Sequence, residues 1–183
     1  MIRPMQRHLF TLLALAIFTL GATVSPTTAP TVGSKIVAYC KDNLNKQVGD
    51  GECSSLAGHA LKEAGAKGRG GKDSPDKGDY NWGQLALLVE SKDSAVNFSQ
   101  GKVTDIRPGD IIQFRDAKFE HHAAHRWSSL SFHHHTAVVA AADGPTIHIL
   151  QQNVSGKRFV VPGTLELADL KQGWLRFYHP IEK

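Results

Sequence analysis

The chain has 183 residues, of which 41% are hydrophobic, 21% charged and 8% aromatic, and its formal net charge is +4. This length and composition predict a globular protein with one hydrophobic core rather than two. The basic residues form no arginine-rich stripe with interleaved aromatic residues, so no nucleic-acid partner is expected.

The first 29 residues have the layout of a secretory signal peptide. Arg3 and Arg7 precede an apolar run over residues 9–20, and small and turn-forming residues follow it. The run is too short for a membrane-spanning helix, which needs about 20 residues, and no cysteine directly follows it to carry a lipid anchor. We therefore expect residues 1–29 to be removed and the protein to be exported, periplasmic or secreted, without a membrane anchor.

Two amphipathic helices are predicted next. The first starts at Ser34 as its cap and places apolar residues at helical spacing; these are Ile36, Val37, Cys40 and Leu44. The second runs over residues 53–64, starts with Cys53 at the head of its apolar stripe, and ends at Gly65.

The rest of the chain favours one more helix and several strands. Residues 80–89 favour a short helix, and strands are predicted over 106–114, 135–141, 146–153, 154–161 and 173–181. The histidine-rich segment 119–134 is predicted to be a loop. Two helices followed by a meander of strands indicate an α+β fold, with the helices packed on an antiparallel sheet of about five strands. We expect residues 34–183 to form this single domain.

Cys53 has the surroundings of a nucleophile. At a helix N-terminus, unpaired backbone N–H groups and the helix dipole favour the thiolate. Gly49 and Gly51 allow a substrate carbonyl to approach the sulfur. The alternative is a disulfide with Cys40, the only other cysteine, which would stabilise an exported domain by about 2–4 kcal/mol.

His135 is the candidate general base, because it opens an otherwise apolar strand and is expected to point to the sheet face beside the helices. Its orienting group would lie on the next strand, where a two-residue period leaves two sets. One set contains Ile147, Ile149, Gln151 and Asn153, and the other contains His148, Leu150 and Gln152. The first is favoured, since its apolar members suit the core and Gln151 or Asn153 would accept the imidazole N–H.

The histidine-rich segment contains His121, His122 and His125, which are candidate ligands for a transition metal because imidazole is a common ligand. Only Glu120 and Asp116 accompany them as carboxylates. We favour a solvated loop and expect no metal or other cofactor.

Four motifs occur in the order GEC before an apolar helix, PGDIIQF, HTAVV and QQNVSG. Together they resemble the CHAP superfamily of cysteine, histidine-dependent amidohydrolases and peptidases, which have a papain-like, NlpC-type fold. The resemblance implies that Cys53 is the nucleophile and His135 the base. The superfamily commonly has a glutamate followed two residues later by asparagine, whereas this chain has Gln151 and Asn153. The missing charge implies either reduced activity or Asn153 as the orienting residue.

A papain-like site also places a glutamine side chain in the oxyanion hole a few residues before the cysteine, and Gln47 has a comparable position. The resemblance thus implies an exported cysteine hydrolase that cleaves an amide bond in peptidoglycan or a related peptide without a cofactor. The alternative is a non-catalytic exported module with a Cys40–Cys53 disulfide and a histidine-rich loop that binds a metal or a protein partner.

Overall fold

A computed structural model describes residues 29–70, 79–92, 95–123 and 126–183. Within these ranges the chain forms two α-helices and seven β-strands. They are α1 (Val32–Asp42), α2 (Cys53–Glu63), β1 (Gln84–Lys92), β2 (Ala95–Gln100), β3 (Ile111–Ala123), β4 (Arg126–Asp143), β5 (Thr146–Gln151), β6 (Val161–Glu166) and β7 (Leu170–His179). None of the helices in these ranges is long and apolar enough to cross a bilayer. The predicted signal peptide, apart from Ala29, lies outside the described residues.

Both predicted helices are confirmed, with small shifts at their ends. The cap of α1 is Thr31, whose hydroxyl accepts a hydrogen bond from the Ser34 amide at 3.1 Å. The helix ends at Asp42, so Leu44 lies beyond it. The start of α2 at Cys53 agrees with the prediction.

The predicted sheet of about five strands is wrong, because the described strands form one seven-stranded sheet in the order β2-β1-β7-β3-β4-β5-β6. Each neighbouring pair is antiparallel. The predicted helix over 80–89 is instead largely β1, which pairs with β7 from Gln84 to Glu90. Leu87 and Val89 are fully buried at alternate positions, so pairing with a distant strand overrides the local helical spacing.

The histidine-rich segment, predicted to be a loop, lies largely in the β3–β4 hairpin. The two strands pair from Ile111 opposite Val138 to Ala123 opposite Arg126. Phe119 and Phe132 on this hairpin are buried in the core. Their alternation with polar residues supplies the period of two that a strand with one buried face requires.

Each face of the sheet carries its own hydrophobic cluster. The helix-side cluster packs α1 and α2 against the sheet; its larger members are Ile36, Leu56, Leu61, Trp82, Ile111, Val138 and Leu150. The far-side cluster includes Ile112, Phe114, Val139, Ile149 and Phe177. Neighbouring residues on β4 therefore point to opposite clusters, which determines the side chains that α2 meets.

Candidate active site

Cys53 opens α2 directly after a turn that contains two glycines. We call residues 48–52 the glycine turn; Gly49 has φ +57° and Gly51 φ +83°, in the left-handed region that glycine adopts without strain. The N-cap of α2 is Glu52, whose side chain makes no capping hydrogen bond. No side chain therefore caps the first-turn amides from the N-cap position, and these amides lie beside the partly exposed Cys53.

Both cysteines are free thiols. Cys40 is fully buried in the helix-side cluster, and burial raises its pKa to about 12. The disulfide of the alternative hypothesis is therefore not present in the structure.

Burial affects the pKa of the Cys53 thiol more strongly than the start of the helix does. Burial raises the pKa of the Cys53 thiol, while the amide and hydroxyl of Thr136 and the amide of Ser54 oppose that rise. The expectation that the helix N-terminus lowers the pKa of Cys53 is therefore wrong. Packing of the first turn against β4 removes water from the sulfur, and this desolvation of the thiolate outweighs the nearby donors.

His135 is 3% exposed, with its ring in the far-side cluster. The ring stacks on Phe132 at a centroid distance of 4.6 Å and lies 5.4 Å from Phe114. The expectation that it points to the helix-side face is wrong, because Thr136 occupies that side of β4, where its hydroxyl donates to Gln113. Burial lowers the pKa of His135 to about 4, opposed by a hydrogen bond with Gln151, so the resting imidazole is neutral at pH 7.

The residue of β4 that contacts the Cys53 sulfur is Thr136, which directly follows His135. Both the amide and the hydroxyl of Thr136 interact with that sulfur. Among the described residues, no hydrogen bond joins Cys53 Sγ to His135. The two side chains lie on opposite sides of β4, so a proton transfer between them requires the His135 ring to move out of the far-side cluster.

Gln151 is the orienting candidate that contacts His135. Its Oε1 lies 2.8 Å from His135 Nε2, and because an amide oxygen only accepts, Nε2 carries the proton and Nδ1 has the free lone pair. The other end of this amide lies against Gly163 of β6, where an added Cβ would be 2.6 Å from Gln151 Nε2. Glycine at 163 thus makes room for the orienting side chain.

Asn153, the second orienting candidate, faces the glycine turn instead. Its Nδ2 donates to Glu52 Oε2 at 2.7 Å, and its φ is +59°. Gln151 and Asn153 diverge because the chain leaves the regular two-residue period after β5 ends at Gln151.

Gln152, placed in the disfavoured set by the sequence, is fully buried and fastens the glycine turn to the end of β5. Its Nε2 donates to the Val48 carbonyl at 2.9 Å and to the Glu52 carbonyl at 2.6 Å. Its Oε1 accepts from the Val48 amide at 3.1 Å. The signal for this contact was its alternation with Leu150, which places it on the helix-side face.

Gln47, the predicted oxyanion residue, lies over the same turn. Its exposed side chain donates from Nε2 to the Gly49 carbonyl at 3.3 Å. A Cβ at Gly51 would lie 3.1 Å from Gln47 Cδ. The amide is therefore next to the turn that leads into Cys53, and its role in an oxyanion hole stays a prediction.

The candidate metal ligands do not converge in the described part of the chain. His121 Nδ1 lies 2.9 Å from Asp169 Oδ2, and His122 Nε2 lies 3.9 Å from Glu120 Oε2, whereas His125 falls outside the described residues. Over the described ranges, no group of three or more histidine, cysteine or acidic side chains is arranged to hold a metal ion.

The buried neutral ring of His135 predicts a loss of stability in acid. Its folded pKa of about 4 lies below the ordinary 6.5, so between these values the unfolded chain binds a proton that the folded chain does not. The contribution of neutral His135 is present above pH 6.5 and lost as the pH falls toward 4, by up to about 3 kcal/mol. Urea unfolding near pH 7.5 and pH 4.5 will show a larger loss for wild type than for His135→Phe.

The exposed neighbour His133 provides the control for this prediction. His133→Phe is expected to retain the acid loss of the wild type. Equal losses in wild type and His135→Phe would contradict a depressed His135 pKa.

Comparison with known proteins gives a family match, a curated relative and similar solved structures. The family model of the AIM3/BBC1 cysteine proteinase-fold domain matches residues 27–183. Altered inheritance of mitochondria protein 3 of Debaryomyces hansenii is 27% identical over 151 residues, which cover 81% of this chain and 16% of that protein. The chain thus matches only a small part of this relative's length.

Two solved structures are similar at 18% identity, namely the crystal structure of Ly7917 and the crystal structure of Ly7917 with the hydrolyzing product of MDP. Their TM-scores are 0.48 and 0.49, and the matches cover 80% and 81% of this chain and 62% of each solved chain.

Proposed function

Because the chain belongs to the AIM3/BBC1 cysteine proteinase-fold domain family, we propose that it is a cysteine hydrolase whose Cys53 attacks the carbonyl carbon of an amide bond. One observation carries the proposal. Cys53 is the first residue of a helix whose N-cap side chain does not cap it, and its sulfur lies beside Thr136. The residue before Thr136 is His135, which Gln151 orients.

In the proposed reaction, the His135 ring leaves the far-side cluster, reaches Cys53 and acts as the general base through Nδ1. The resting pair is a neutral thiol and a neutral imidazole, because burial raises the pKa of Cys53 and lowers that of His135. His135 takes the thiol proton as the sulfur attacks, then gives it to the leaving amine, and a thioester remains on Cys53. Water, deprotonated by His135, hydrolyses the thioester and restores the thiol.

Gln151 keeps Nε2 protonated and Nδ1 available, which is the orienting role in a Cys-His triad. Since an amide has no charge, it stabilises the imidazolium less than the glutamate common in CHAP enzymes would. The proposed oxyanion donors are the Cys53 backbone N–H and the Gln47 side chain. The scheme needs no metal or other cofactor.

The proposed substrate is an amide bond in peptidoglycan or a related peptide, reached after export through the predicted signal peptide. The order of the four CHAP-like motifs supports this substrate class. Peptidoglycan and peptides both present an amide carbonyl to the thiol, so the first screen contains peptides and peptidoglycan fragments together.

The test is the rate of Cys53 alkylation by iodoacetamide against pH, with the labelled residue identified by mass spectrometry. We expect His135→Ala to slow labelling near pH 7 by about tenfold or more, because the thiol loses its base. His134→Ala, a change of the same type one residue away, is the control and is expected to react like wild type. A wild-type rate that does not depend on His135, or a Cys53 that is labelled only after reduction, would reject the hydrolase.

A further inference from the structure

We propose that Arg158 is a positioning residue for Cys53. Together with Asn153, Arg158 holds the Glu52 carboxylate and so fixes the glycine turn against the segment that follows β5. This inference rests on the proposed function, because it concerns the placement of the same nucleophile.

The Glu52 carboxylate is held at both of its oxygens by the segment after β5. Arg158 Nη2 donates to Glu52 Oε1 at 2.8 Å, and Asn153 Nδ2 donates to Glu52 Oε2 at 2.7 Å. The same Arg158 nitrogen also donates to the Asp50 carbonyl at 2.6 Å. The guanidinium thus binds a side chain and a backbone group of one turn.

A small turn presents Asn153 and Arg158 together. Between them, Val154 and Lys157 exchange backbone hydrogen bonds at 3.2 and 2.9 Å, which bring the two ends of this turn close to each other. Asn153 follows Gln151 by two residues, so the contact connects the Glu52 carboxylate to the strand that orients His135.

The guanidinium lies directly over the glycine turn. A Cβ added at Gly51 would be 3.0 Å from Arg158 Nε, so the arginine packs closely against the turn and a larger residue at 51 would displace it. Glu52 is both the partner of Arg158 and the residue before Cys53. A displacement of Glu52 would therefore move the backbone of the nucleophile, where small errors in position cost rate.

The ion pair between Arg158 and Glu52 also affects the pKa of Cys53. The negative charge of Glu52 opposes formation of the Cys53 thiolate and contributes to raising its pKa, and Arg158 neutralises that charge. The side chains of Arg158 and Glu52 are 50% and 44% exposed, so the pair adds little to the stability of the whole fold. Loss of Arg158 should therefore change the reactivity of Cys53 much more than it changes the free energy of unfolding.

The experiment measures the pH profile of Cys53 alkylation by iodoacetamide together with the melting temperature. Arg158→Ala is expected to slow labelling near pH 7 by about fivefold to tenfold and to shift the profile to higher pH, with the melting temperature nearly unchanged. Arg158→Lys, which keeps the charge, is expected to recover part of the rate. Adding Glu52→Gln to Arg158→Ala is expected to return the profile toward wild-type pH.

Lys157→Ala is the matched control, because Lys157 is an exposed cation next to Arg158 and removing it changes the net charge equally. A rate unchanged in Arg158→Ala, or lowered equally in Lys157→Ala, would overturn the positioning role. If alkylation depends on His135 but not on Arg158, only this inference fails. If alkylation is independent of His135, the proposed function itself fails.

Discussion

Cys53→Ala will lower kcat/KM for amide hydrolysis by about 10⁴-fold or more, because the proposed reaction has no step that proceeds without the thiol. The partly exposed side chain heads its helix, so its truncation leaves the fold intact. The measurement is the release of free amine from the peptides and peptidoglycan fragments of the screen, at matched concentrations of folded protein.

Cys40→Ala is the control that separates chemistry from packing. Cys40 is fully buried between the helices and the sheet, so its loss leaves a small cavity and reduces stability, but turnover should stay near that of the wild type. Hydrolysis that persists in Cys53→Ala, or disappears equally in Cys40→Ala, would contradict Cys53 as the nucleophile.

Gln152→Ala will destabilise the protein by about 4 kcal/mol, because one fully buried side chain satisfies three backbone groups and each buried group left unpaired costs about 1–3 kcal/mol. The expected fall in melting temperature is about 8–16 °C for a domain of this size. Since these bonds join β5 to the glycine turn, the same change should slow alkylation of Cys53. Thermal unfolding and the iodoacetamide rate measure the two effects on one sample.

The exposed Gln172 on β7 provides the comparison. Gln172→Ala deletes the same side-chain atoms from the protein surface, and we expect a change in the free energy of unfolding within about 0.5 kcal/mol. If Gln152→Ala were as stable as Gln172→Ala, the three bonds would not hold the turn.

The strand count illustrates where local pattern fails. β1 was predicted to be a helix because Trp82, Leu85 and Leu88 recur every three residues, and that spacing is real. What makes the segment a strand is β7, more than 80 residues later, which hydrogen-bonds along it. The β3–β4 hairpin is similar, since its polar and histidine residues concealed an apolar period that only the core reveals.

The features that depend on near neighbours could be predicted from the sequence. The start of α2 at Cys53 follows from the glycines before it and the apolar spacing after it. The alternation of β5 left Gln151 and Asn153 as the two orienting candidates, and Gln151 is the one that contacts His135. Helix starts and strand periods are local properties of the chain.

The features that depend on which residues pack over a side chain could not be predicted from the sequence. The seven-strand sheet, the far-side position of His135, the raised pKa of Cys53 and the attachment of Asn153 and Arg158 to Glu52 arise from such contacts. The bonds to Glu52 join residues about 100 positions apart, and the desolvation of Cys53 depends on β4 packing against α2. A pattern read along the chain contains neither distance nor water exclusion, and these two quantities set the chemistry of the site.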